Sequence, residues 1–270
     1  MNEGRKFADK VKIFIAEFLW FMTFPLNKIY YTFKRDFLFM PNVFFFWDME
    51  CENVDGIFFC RRFTNDYNMV KSSFENTMKK QFDKEPDGLF LDVGSNIGKY
   101  TVMMARRGFN VLAFEPDNEN LKVLRKNIIL NRINKNVSII SKAAWSSNTV
   151  LRIYKNRGMG EQTQVGRLET KIMSPTSTDY ISAVKIDDIV RGRKVSLAKL
   201  DIEGSEIDAF KGMKDTFRNN PNMKVIFEAW NFGNHVEDSK KILTSYGFQM
   251  RDISEGSKDG SQNNYMGVKK

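Results

Sequence analysis

A mostly parallel, doubly wound α/β sheet is the fold the sequence predicts, on three observations. Short apolar runs alternate with stretches of helical spacing over residues 89–253, the pattern of strands joined by crossover helices. One of those runs ends in an aspartate and a glycine-bearing turn that opens a helix, residues 92–98. With 42% apolar and 28% charged residues among 270, the chain can bury a large core and is not disordered by composition.

Residues 56–60 form a short apolar strand. Met69, Val70, Phe74, Met78 and Phe82 recur at helical spacing and predict a helix over 67–82. Pro86, Asp87 and Gly88 then turn the chain. Residues 89–93 are a buried strand, 97–107 a helix closed by Gly108, 111–114 a second strand, 118–131 a second helix and 137–140 a third strand. A further short strand is expected at 149–154. Residues 156–182, rich in Gly, Ser and Thr, read as a long loop. The fourth strand is expected at 197–201, running into a helix over 205–214. A fifth follows at 225–229, with a helix over 235–246. Residues 248–253 and 265–268 are placed to pair as a terminal antiparallel hairpin.

The N-terminus has a different character. Residues 11–47 carry fourteen aromatic side chains. The densest run, 13–24, contains Glu17 and as a helix reaches roughly 18 Å, short of the about 30 Å of bilayer hydrocarbon. Asp9 and Glu17 spoil a signal-peptide charge pattern, and no small-residue cleavage site follows. Arg5, Lys6, Lys10 and Lys12 beside a Phe/Trp/Leu face suit a helix lying in a membrane surface, with residues 1–47 as the contact. A helix packed on the main domain or on a second subunit is the alternative. The expected division is a 1–53 extension and a 54–270 domain. The expected location is cytoplasmic, peripheral at the cytoplasmic membrane face.

The net charge is +9, of which residues 87–270 supply +8. That excess suits an anionic partner, a phosphate-bearing substrate, a membrane surface or nucleic acid, or simply a solvated basic surface. Two cysteines, Cys51 and Cys60, exclude a disulfide scaffold and a Cys-based zinc site, and suit a reducing compartment. A single histidine, His235, excludes a metal centre built mainly on imidazoles and disfavours a Ser-His-Asp triad.

The chemistry is expected at the strand ends. Asp92 closes a buried strand, and Gly94, Ser95, Asn96, Gly98 and Thr101 follow in the turn and helix start. Glycines there let backbone approach a ligand, and the helix start offers unpaired N–H groups. The spacing is G-x-x-x-G, not the G-x-G-x-x-G that cradles a dinucleotide pyrophosphate. An aspartate beside it repels a pyrophosphate but receives the ammonium of a methionyl group, which favours S-adenosylmethionine over NAD. Glu115, before Pro116 at the next strand end, is placed to accept hydrogen bonds from ribose hydroxyls.

Asp92-Val-Gly-Ser-Asn-Ile-Gly98, then Glu115-Pro116, then Leu197-Ala-Lys199-Leu-Asp201-Ile-Glu203-Gly204-Ser-Glu206 with Gly212 resemble the FkbM-type S-adenosylmethionine-dependent methyltransferases, over roughly residues 54–254. The resemblance implies the Rossmann-like class I methyltransferase fold and methylation of a hydroxyl oxygen, often on a sugar. It places the methionyl end on Asp92, Gly94, Asn96 and Gly98, the ribose on Glu115, and the adenine near Ala143, Ala144 and Trp145. The family's Gly/Ser-rich loop is loosely matched by residues 158–165. The acceptor it implies is a glycan or glycolipid.

Lys199, Asp201 and Glu203 alternate with Leu200 and Ile202, so on a strand they project to one side. Methyl transfer to a hydroxyl needs in-line approach and removal of one proton. A carboxylate with a raised pKa in a dry crevice suits that base, Asp201 first and Glu203 second. The same acids suit Mg²⁺, and Glu203 or Glu206 equally suits capping of the following helix. Glu228, ending an apolar strand, and His235 are further candidates. An NAD(P) oxidoreductase, and a membrane-surface binding protein with a vestigial nucleotide site, are the competing functions. Nucleic acid is not an expected partner, because no amide motif for a flipped base and no RNA-binding module pattern is present.

Overall fold

The computed structural model describes residues 3–34, 44–82, 88–156, 162–165, 177–230, 233–254 and 262–269. The chain divides into two compact units. The described residues of the first lie before Glu75, and those of the second from Glu75 onward.

The first unit runs β1 (Glu3–Gly4), α1 (Phe7–Lys34), β2 (Met49–Asn53), β3 (Gly56–Cys60) and α2 (Asp66–Val70). Its three strands form an antiparallel sheet in the order β1-β2-β3. Asn53 Oδ1 closes the β2–β3 turn by accepting the backbone N–H groups of Asp55 and Gly56. The helix packs one face within this unit: Ile13 and Ala16 are buried, Tyr67 donates to Glu17, and Lys12 Nζ donates to the Asp48 carbonyl.

The second unit holds α3 (Asn76–Lys79), β4 (Leu89–Val93), α4 (Lys99–Arg106), β5 (Asn110–Phe114), α5 (Asn118–Leu130), β6 (Val137–Ile140), β7 (Ala143–Ala144), β8 (Thr149–Asn156), β9 (Gln162–Val165), β10 (Ser177–Val184), α6 (Ile186–Val190), β11 (Val195–Leu200), α7 (Glu206–Lys211), α8 (Lys214–Asn219), β12 (Lys224–Trp230), α9 (His235–Ser245), β13 (Phe248–Asp252) and β14 (Gln262–Lys269). Seven strands make one sheet in the order β13-β14-β12-β11-β4-β5-β6. All neighbours are parallel except β14, which pairs antiparallel with both β12 and β13. The doubly wound parallel sheet and its terminal antiparallel hairpin are therefore as expected. Every residue of β4 is buried, as a central strand covered on both faces requires. The main core joins Leu91, Phe114, Leu200, Phe210, Phe217 and Phe227 among others.

Two elements differ from the sequence expectation. The helix expected over 67–82 is broken into α2 and α3, with Glu75 between them in the left-handed region at φ 56°. Its apolar spacing is real but serves two cores: Val70 is buried in the first unit, while Met78 and Phe82 are buried in the second. The loop expected over 156–182 contains strands. β8, β9 and β10 join β7 in a second sheet, order β7-β10-β8-β9. Of β10 only Ala183 and Val184 are buried, so its exposed Ser, Thr and Asp hide the alternation that marks a strand. Residues 157–161 and 166–176 lie outside the described residues, as do Pro86 and Asp87 of the expected turn. With them lies the first half of the loosely matched Gly/Ser-rich loop; the second half of that loop forms β9.

Candidate active site

The glycine turn is built as its sequence requires. Gly94 and Gly98 have φ +81° and +91°, a region that side chains rarely adopt. A Cβ at Gly94 would overlap the Asp201 carbonyl oxygen, so only glycine lets the two strand ends meet. The Gly94 and Ser95 N–H groups donate to the Phe114 carbonyl, and Ser95 Oγ donates to the Asp92 carbonyl at 2.8 Å.

Asp92 is fully buried. Thr101 Oγ1 donates to its Oδ2, while its Oδ1 is buried without a hydrogen-bond partner. An unmatched buried acceptor is costly unless a donor arrives, which fits a group carrying an ammonium. Burial pushes Asp92 above the usual carboxylate range, with Lys199 and Thr101 opposing.

Glu115 ties the turn to the next strand end. Its Oε2 accepts the Asn96 N–H and its Oε1 the Asp117 N–H, both at 2.8 Å. Burial pushes it up to about 7 despite these bonds. A cleft beside it is lined by Val93, Gly94, Phe114, Pro116, Lys142, Ala143, Ala144, Ile202 and Ser205, so it lies at the carboxyl ends of four parallel strands. Ligands of open α/β sheets bind at such ends. Trp145 is not in that lining; its ring packs against Ala143, Ile153 and Ala183 in the core of the second sheet.

Sheet register places the charged cluster. Lys199 on β11 sits opposite Asp92 on β4, and Leu200 opposite Phe227 on β12, which brings Asp201 level with Glu228. Lys199 Nζ lies 3.0 Å from Asp201 Oδ2. Burial alone would lower the Lys199 pKa, but Asp201, Asp92 and Glu75 raise it instead. The Asp201 outcome corrects the sequence expectation. Burial would raise its pKa, but Lys199 and a hydrogen bond from Glu228 hold it below the usual carboxylate range. Glu228 is the neutral partner, pushed up to about 11 by burial and then by Asp201.

Glu203 departs from the alternation predicted for it. β11 ends at Leu200, and Glu203 stands in the following turn at φ 55° with Gly204 at φ 95°. It is pushed up to about 8 by burial, Asp201 and Glu206. Glu206 does not take the expected capping role: α7 has no side-chain cap hydrogen bond, and the Glu206 Oε1 instead closes the preceding turn by accepting the N–H groups of Ile202 and Gly204. His235 opens α9 with Nε2 3.3 Å from Glu206 Oε2. Burial lowers the His235 pKa, but the hydrogen bond and charge of Glu206 hold it above its ordinary value. Lys199, Asp201, Glu203 and Glu228 thus form one cluster, with His235 attached through Glu206.

Sequence inspection gave no role to Glu75, Lys99 and Tyr100. Tyr100 donates its phenol to Glu75, Lys99 lies 3.1 Å from Glu75, and the Tyr100 ring is 5.0 Å from both the Lys99 and Lys199 ammoniums. Lys99 and Tyr100 adjoin Gly98, a cue in plain view. Glu75, in a stretch that looked helical, carried no signal. Among the described residues no group of three or more His, Cys, Asp or Glu is arranged to hold a metal ion.

The family model for the methyltransferase FkbM domain matches residues 92–250. A curated relative, methyltransferase 1 of Beauveria bassiana, is 22% identical over 191 residues, covering 63% of this chain and 76% of that protein. The hexuronic acid methyltransferase AglP of Haloferax volcanii is 26% identical over 143 residues, covering 50% of this chain and 54% of that protein. The crystal structure of an FkbM methyltransferase from Methylobacillus flagellatus KT superposes with a TM-score of 0.51 at 19% identity, over 70% of this chain and 44% of that one. The chain thus spans about half the length of the latter two. With the family match extending over more than half of its own length, and on the strand-end geometry described above, this chain belongs to the FkbM methyltransferase family.

Proposed function

We propose that this chain is an S-adenosylmethionine-dependent O-methyltransferase acting on a sugar hydroxyl of a glycan or glycolipid. The observation that carries the proposal is the buried, unmatched Oδ1 of Asp92 beside the glycine cradle, one strand from Lys199 and Asp201. S-adenosylmethionine, when bound, supplies an electrophilic methyl group on a sulfonium. Asp92 would receive its ammonium, with Gly94, Ser95, Asn96, Gly98 and Thr101 shaping that end. Glu115 would accept the ribose hydroxyls, and Pro116, Ala143 and Ala144 would wall the adenine, with Trp145 backing that wall.

Of the three carboxyls Asp201, Glu203 and Glu228, Asp201 is the one held ionised at neutral pH. It would accept the hydrogen bond of the acceptor hydroxyl and take its proton as the oxygen–carbon bond forms. Lys199 fixes the Asp201 carboxylate and Glu228 donates to it, so neither is the base. Glu203 and His235 lie one step further out. The sugar acceptor is supported by the likeness to a hexuronic acid methyltransferase.

Calorimetry with S-adenosylhomocysteine and with NAD tests the cofactor, and labelled methyl incorporation into uronate-bearing oligosaccharides tests the acceptor. Binding of S-adenosylhomocysteine and not NAD is expected. NAD binding without S-adenosylhomocysteine binding would overturn the proposal and favour an oxidoreductase.

A further inference from the structure

A buried lysine of the second sheet reaches the strand ends of the parallel sheet. Lys155 stands two residues beyond Ile153 on β8, so it projects to the same side as that core residue. Its Nζ lies 2.6 Å from Asp117 Oδ2, with the two side chains only 12% and 6% exposed. Asp117 is the N-cap of α5, its Oδ1 accepting the N–H groups of Glu119 and Asn120. Its own N–H donates to Glu115 Oε1. One aspartate thus joins Lys155, the start of α5 and the carboxylate at the end of β5. The second sheet meets the same cleft through β7, whose Ala143 and Ala144 line it.

The cap does not need the lysine. Two N–H groups and the helix N-terminus already favour an ionised Asp117. Burying an ammonium beside it costs desolvation, so the pair speaks less for stability than for a fixed register. What the ammonium changes is the balance of charge around Glu115. Burial pushes Glu115 up to about 7, and the charge of Asp117 adds to that. Burial would raise Asp117 too, but Lys155 and the capping N–H groups hold it below the usual carboxylate range. Lys142 lines the cleft beside Pro116, and Asn96 and Asn120 give Glu115 neutral donors. We propose that Lys155 is a positioning residue for the cofactor: through Asp117 it fixes Glu115 and offsets the negative charge beside it, so that seating of the second sheet governs the ribose carboxylate. This role rests on Glu115 being the ribose acceptor, as proposed above.

Calorimetry of S-adenosylhomocysteine binding from about pH 6 to about pH 9 tests it. In the parent, affinity should rise through about pH 7 as Glu115 ionises, and Glu115→Gln should abolish that rise. Without Lys155 the capping N–H groups keep Asp117 ionised, and its charge acts on Glu115 unopposed. Lys155→Met should therefore move the rise to higher pH. A move of about one unit lowers the ionised fraction at pH 7 from about one half to about one tenth, a loss of about five-fold in affinity. Lys155→Arg keeps the charge and should restore the parent profile. Asp117→Asn keeps a good N-cap but removes the repelling charge, so it should move the rise to lower pH. Thermal melting shows which variants fold; if Lys155→Met does not, the opposite shift of Asp117→Asn decides. A folded Lys155→Met with the parent profile, or one weakened equally at every pH, overturns the proposal. So does an Asp117→Asn profile that does not move, or a rise that persists in Glu115→Gln. A parent chain that binds no S-adenosylhomocysteine at any pH overturns the cofactor reading itself, and this role with it.

Discussion

Glu115→Gln separates the electrostatics of the turn from its hydrogen bonding. Glu115 is 4% exposed, and burial pushes it up to about 7 although both oxygens accept backbone N–H groups. The folded chain therefore keeps this proton until about pH 7, whereas the unfolded chain releases it near 4.5. Folding stability contributed by this group is fully present below 4.5, falls as pH rises through that window, and levels off above about 7. At about 1.4 kcal/mol per pH unit the loss is about 3 kcal/mol. Glutamine has no proton to release. The stability difference between variant and parent, from urea denaturation at pH 4.5 and pH 8, should shift by about 3 kcal/mol in favour of the variant. Groups that titrate alike in both proteins cancel in that difference. The amide also turns one N–H edge towards Asn96 or Asp117 and withdraws a charged acceptor. S-adenosylhomocysteine affinity at pH 8 should therefore fall by about 1–3 kcal/mol, or roughly 5- to 150-fold. A stability difference that does not vary with pH would refute Glu115 as the group titrating near 7. Unchanged affinity would remove it from the cofactor site.

Asp201→Asn should lower methyl transfer about 10²–10⁴-fold while leaving S-adenosylhomocysteine affinity unchanged. Near-normal turnover would exclude Asp201 as base, and activity of the parent that disappears with a chelator would make it a metal ligand. Lys199→Met leaves Asp92 and Asp201 without the ammonium they share. It should cost about 3–5 kcal/mol in urea denaturation; a loss below about 1 kcal/mol would show that the lysine does not hold the cluster together.

What the sequence determined by itself is local in origin. The strands of the parallel sheet from residue 89 onward show as apolar runs because a central strand is buried on both faces. The glycine turn shows because the backbone there must take positive φ, which only a few residues accept. Asp92 and Glu115 could be placed because one stands in the last residues of such a strand and the other follows directly on the next. Tertiary structure alone decided the protonation of the acids. Asp92, Lys199 and Glu228 meet through the register of β4, β11 and β12, segments far apart in the chain. Their pKa values depend on burial and on those neighbours, so a carboxylate expected to be a strong base proves to be the one held ionised. The break at Glu75 arose likewise, because one apolar period supplies two cores. The second sheet escaped notice because β10 buries only its last two residues. The aromatic content of α1 was plain from the start. Which of its faces meets protein and which is left exposed followed only from the packing of Ile13 and Ala16, since helical periodicity defines faces but not their partners.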